Sequence, residues 1–175
     1  MTVLFYRYGS ICEPSIIDTF HKLNIDIIEE TSEIKNKNLQ PSDCIELMRN
    51  TIEANKPIFV FSINFFPAIA EICHIYKIFY LCWTVDCPLL ELFSKSITHK
   101  TNRIFMFDKA QYQYFHTFNP ECIFYLPLAA ATEHFDKVIS SITENDINKY
   151  KHDITFVGSL YTEKNPLKNL LRFPL

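Results

Sequence analysis

Short runs of consecutive apolar residues alternate along this chain with stretches in which apolar positions recur every three or four residues. The apolar runs predict strands over Thr2 to Tyr6, Asp26 to Glu29, Pro57 to Ser62, Ile78 to Thr84, Arg103 to Phe107, Cys122 to Leu126 and Ile154 to Val157. Ile58 to Phe61 and Ile78 to Cys82 are apolar without interruption, as expected of strands buried on both faces. The periodic stretches predict helices over Pro14 to Leu23, Asp43 to Asn55, Pro67 to Tyr76, Leu89 to Ser96 and Lys109 to Phe118. Pro14 falls where a first-turn proline is tolerated, and Ser42 is placed to cap the second helix, whose apolar face is Ile45, Leu47, Met48 and Ile52. Strand and helix in alternation give an α/β class, a Rossmann-like parallel sheet with helices on both faces.

The two glycines, Gly9 and Gly158, each close a strand-like run. The polar stretch from Ser140 to Lys151 reads as a linker holding a short helix. The expected organisation is a Rossmann-like domain over 1–139, a linker over 140–152, and over 153–175 the first strand and helix of a second, truncated domain.

With 48% hydrophobic and 15% aromatic residues the chain is not a disordered one, and a net charge of -3 with no basic stripe argues against a nucleic-acid partner. Six cysteines, Cys12, Cys44, Cys73, Cys82, Cys87 and Cys122, lack zinc-site spacing and read as buried thiols of a reducing compartment. No signal-peptide pattern opens the chain and no apolar run is long enough to span a bilayer, so the cytoplasm is expected.

In an open parallel sheet, ligands bind outside the carboxyl ends of the strands. The residues there are Tyr8, Gly9 and Ser10, then Asn64, Asp86 and Asp108, then Pro127 and Leu128. Two distant glycines can form neither a dinucleotide fingerprint nor a phosphate loop, and no nucleophile elbow is present. A phospho-receiver would want acidic residues clustered after its first strand, where Tyr8, Gly9 and Ser10 stand. The six histidines show no metal-binding spacing, so neither metal nor cofactor is expected.

Asp86, in Cys82-Trp83-Thr84-Val85-Asp86-Cys87-Pro88, fits a general base or an acceptor ligand, and equally the cap of a helix beginning near Leu89. Asp108 has the same two readings, with Asp-Lys-Ala-Gln a good helix start. Asn64 fits a ligand hydrogen bond or a turn. Gly9 and Ser10 mark a backbone constraint beside a substrate. Tyr112, Tyr114, Phe115 and Phe118 read as a helix face on the sheet, and Cys82 and Cys87 as core or helix-start residues.

Several segments in order resemble the N-terminal half of bacterial CgeB-like, GT-B-type glycosyltransferases, a family whose N-terminal domain is one of unknown function. They are Asn64-Phe65-Phe66-Pro67 with Glu71-Ile72-Cys73, Trp83 to Leu92, Phe107 to Tyr112, Tyr125 to Ala130 and Phe156 to Tyr161. The resemblance implies the acceptor-binding half of an enzyme that moves a sugar from a nucleotide-sugar donor to a sugar or glycan acceptor. It implies Asp86 as catalytic base or acceptor ligand, Gly158 and Ser159 on the donor side, and an inactive chain where the donor domain is lacking. The competing expectation is a non-catalytic module that binds a sugar or a partner.

Overall fold

The apolar runs lie side by side, so that each strand's N–H and C=O groups find a neighbour's. The computed structural model describes residues 1–36 and 38–158, without the side chain of Pro41. The chain divides into two compact units, Met1–Ala130 and Ala131–Leu175.

In the first unit the strands are β1 (Thr2–Tyr6), β2 (Asp26–Glu30), β3 (Phe59–Ile63), β4 (Phe79–Thr84), β5 (Asn102–Met106) and β6 (Ile123–Tyr125). They form a six-stranded sheet in the order β2-β1-β3-β4-β5-β6 with every pairing parallel. Among the described residues five α-helices belong to this unit: α1 (Glu13–Lys22), α2 (Ser32–Lys35), α3 (Pro41–Asn55), α4 (Pro67–Tyr76) and α5 (Lys109–Phe115). The expected parallel α/β sheet is therefore the observed one.

Strand pleating sends alternate side chains to opposite faces, and the two faces are covered differently. Leu4, Tyr6, Val60, Tyr80, Cys82, Ile104 and Met106 meet α3, α4 and α5 through Met48, Ile52, Ile69, Ile72 and Phe115. On the other face Val3, Phe5, Phe61 and Ile63 meet α1 through Ile16, Ile17 and Phe20. Phe5 stands edge-on to both Phe20 and Phe61, with ring centroids 6.4 and 5.1 Å away. Beyond α1 this face carries an apolar groove of about 200 Å³ lined by Phe20, Phe61, Trp83, Phe105 and Leu126.

Helix ends deviate from expectation where local bonding wins. Ser42 is not a cap: α3 starts at Pro41 with Gln40 before it, and the Ser42 hydroxyl donates to Asp43 instead. The expected helix over Leu89 to Ser96 is two short 3₁₀ turns, Leu90–Phe93 and Lys95–Thr98, with Ser94 between them in extended conformation. Three non-glycine residues, Asn24, Lys56 and Lys77, take left-handed conformations at helix C-termini, a role glycine usually fills.

The second unit holds α6 (Thr132–Ser141) and α7 (Glu144–Tyr150). A capping box starts α7: Thr143 Oγ accepts from the Asp146 N–H at 3.2 Å and Asp146 Oδ2 accepts from the Thr143 N–H at 3.0 Å. The seventh expected strand is corrected. Residues 154–157 are not a strand, and Ile154 and Val157 are 92% and 91% exposed. A strand exists only with a partner for its backbone, and apolar composition alone supplies none. Gly158 follows this irregular stretch, while Ser159, Leu160 and Tyr161 lie outside the described residues. Among the described residues no helix is long and apolar enough to cross a membrane.

Candidate functional site

The strand order reverses between β1 and β3, the place where an open parallel sheet leaves a crevice at its carboxyl edge. Asn64, the first residue past β3, stands there with φ of 61°. Every polar group of Asn64 is engaged. Its N–H donates to the Trp83 carbonyl at 2.9 Å. Its side-chain oxygen accepts from the Val85 N–H at 2.9 Å, and its amide nitrogen donates to Tyr8 Oη at 2.9 Å and to Asp86 Oδ2 at 2.6 Å.

A buried relay supports it from below. The Phe66 N–H donates to Tyr80 Oη at 2.9 Å, Tyr80 Oη and Ser62 Oγ lie 2.6 Å apart, and Ser62 Oγ donates to the Asn64 carbonyl at 2.7 Å. Tyr80 and Ser62 are fully buried, and burial foremost pushes the Tyr80 phenol well above its ordinary range. These partners hold Asn64 in a backbone conformation that costs a non-glycine residue about 1 kcal/mol. The turn reading of Asn64 is the observed one, with its side-chain hydrogen bonds spent on Tyr8, Val85 and Asp86.

Asp86 is exposed and points its carboxylate at Asn64 rather than at a helix. The capping alternative is excluded, since the 3₁₀ turn that follows begins after Leu89 and has no side-chain cap. Asp108 takes the structural role that its sequence suggested. It caps α5, with Oδ1 accepting the Gln111 N–H at 2.7 Å, and stands close enough to Cys87 to act on it. Desolvation and then the Asp108 carboxylate raise the Cys87 thiol above its ordinary range, which disfavours a thiolate nucleophile there. Burial and then the Asp86 charge raise the Tyr8 phenol, against the opposing hydrogen bonds from Ser10 and Asn64.

Gly9 and Ser10 are placed beside this cluster, but their N–H groups are already committed. The N–H groups of Tyr8, Gly9 and Ser10 all donate to Glu13 Oε1, at 3.0, 2.8 and 2.9 Å. Glu13 is 1% exposed, and its Oε2 takes the Arg7 Nε–H at 2.9 Å. Arg7 also pairs with Glu29. Sequence reasoning missed Glu13, although Ser10-Ile11-Cys12-Glu13 carries the spacing at which a glutamate reaches back to free N–H groups. Tyr80 and Ser62 were missed as well, because in a strand they read as ordinary core positions. Among the described residues no group of three histidine, cysteine or acidic side chains could hold a metal ion.

No family model matches this chain, and no curated protein matches it. Among solved structures it is similar to the BeF3-activated N-terminal receiver domain of RstA from Klebsiella pneumoniae. The identity is 10% and the TM-score 0.41, over 80% of this chain and 97% of that one. The resemblance to CgeB-like GT-B glycosyltransferases is corrected: no family model and no curated protein of that kind matches the chain. With it falls the reading of the chain as the acceptor half of a glycosyltransferase. The α/β class stands on the strand order and pairing themselves.

Proposed function

We propose that the Met1–Ala130 unit is a ligand-binding α/β module whose crevice between β1, β3 and β4 takes a small molecule bearing an amine or ammonium group. The observation that carries the reading is the Asn64 node, which fixes an exposed Asp86 carboxylate beside the Tyr8 hydroxyl at the switch of strand order. An oriented carboxylate with a neighbouring hydroxyl accepts hydrogen bonds and offers negative charge, which suits a cationic donor. The Asp108 carboxylate, after the next strand, adds charge of the same sign.

Phosphoryl acceptance has little to rest on at this edge. The residues directly following β1 and β3 are Arg7, Tyr8, Gly9 and Ser10, and Asn64, Phe65 and Phe66, none of them a carboxylate.

The test is titration with 1,4-diaminobutane at constant ionic strength, read by amide resonances and by the fluorescence of Trp83, the sole tryptophan. Saturable shifts at Asn64, Val85 and Asp86, weakened at least about tenfold in Asp86→Asn, are expected for loss of a charge-assisted pair. Absence of saturation, or equal affinity in both proteins, would overturn the reading.

A further inference from the structure

Three consecutive N–H groups converge on one point in the turn after β1, where Gly9 has φ of 95°. Such a concavity of backbone donors is built to receive an anion, and ahead of α1 it also receives the positive end of a helix. Here the anion is already present. Glu13 Oε1 sits at the focus of the three donors, and Arg7 holds the other oxygen.

We infer that Glu13 is a specificity-determining residue, a tethered carboxylate that closes the β1 turn to phosphate-bearing ligands. Two features make the closure effective. The carboxylate is part of the same chain, so an incoming anion must compete with a partner that is never diluted away. It is also buried and held on its other oxygen by Arg7, so an incoming anion would have to displace it and leave that carboxylate buried without its three donors. The sheet therefore keeps the topology of a phosphate binder while its own side chain fills the phosphate position. Glu13 deepens the reading of the neighbouring crevice as one for amines and not for nucleotides or phosphorylated metabolites, and to that extent it rests on that reading.

The experiment compares the full chain with Glu13→Ala in sodium chloride, sodium formate and sodium phosphate at matched ionic strength. In Glu13→Ala a free anion should take the vacated position. Its melting temperature should rise saturably with formate and with phosphate, and the amide resonances of Tyr8, Gly9 and Ser10 should move with the same midpoint. The unaltered chain should show neither response. If Glu13→Ala is unfolded in chloride, refolding on addition of either anion is the expected result. Glu13→Gln keeps an oxygen in place and should fold without acquiring phosphate binding.

The inference is overturned if phosphate moves the three amides saturably in the unaltered chain. It is equally overturned if Glu13→Ala, folded or unfolded, gains nothing from either anion. Neither readout involves a diamine, so a crevice that fails to bind one leaves this result standing.

Discussion

Asn64 Nδ2 lies 2.6 Å from Asp86 Oδ2, a bond that joins the ends of β3 and β4 on a residue whose own φ is 61°. Strain and bonding at Asn64 are separable by substitution. Asn64→Gly removes the side-chain bonds and relieves the backbone, whereas Asn64→Ala removes the same bonds and keeps the strain. Asn64→Ala is expected to cost about 2–4 kcal/mol and Asn64→Gly about 1 kcal/mol less. Urea midpoints of the two variants measure the difference, and equal midpoints would show that the left-handed backbone carries no burden.

Lys56 and Lys77 close α3 and α4 with φ of 47° and 56°. A side chain at such a position crowds the backbone, and glycine does not. Lys77→Gly and Lys56→Gly are each expected to stabilise the fold by about 0.5–1 kcal/mol, the relieved strain outweighing the added freedom of the unfolded chain. Denaturant midpoints that fall in either variant would contradict this.

Alkaline pH should weaken the fold in a defined window. Burial raises the phenols of Tyr6, Tyr8 and Tyr80 and the thiols of Cys73 and Cys82 above their ordinary values. In the unfolded chain these groups release protons from about pH 8.5 for a thiol and about pH 10 for a phenol. Above those values the folded state binds more protons than the unfolded, so stability declines as pH rises, while below them the contribution is fully present. Urea midpoints should hold steady from pH 7 to about 8.5 and fall steeply above it. Tyr80→Phe should lower stability at neutral pH by about 1–3 kcal/mol, through the bonds lost to Ser62 and Phe66, and flatten the alkaline decline.

Six of the seven expected strands formed, with ends within two residues, because strands with apolar side chains on both faces leave an unbroken apolar signature such as Ile78 to Cys82, even where one face is only half-covered. The same signature misled at Ile154 to Val157, which pair with no strand among the described residues. Helix α6 carries its stripe at Phe135, Val138 and Ile139, yet its polar flanks drew attention to a linker instead. At the crevice, the strand-end rule found Asn64, Asp86 and Asp108 but could not tell cap from contact. That distinction depends on how the chain turns after Asp86, and the short 3₁₀ turns there follow no helical period. Glu13 was hidden because its role is set by the three amides it faces, and amides have no letter in a sequence.

Placing β1 between β2 and β3 makes synthesis order matter. As the chain leaves the ribosome, β2 reaches one edge of β1 early, but the other edge stays bare until α3 and then β3 have been made. Over that interval Val3 and Phe5 have only part of their final cover, and the nascent chain displays an open strand edge of the kind that chaperones engage and stray strands join. Pauses in translation between Pro41 and Phe59 would lengthen that exposure, whereas pauses after Ile63 would fall on a chain whose β1 already has both of its strand neighbours.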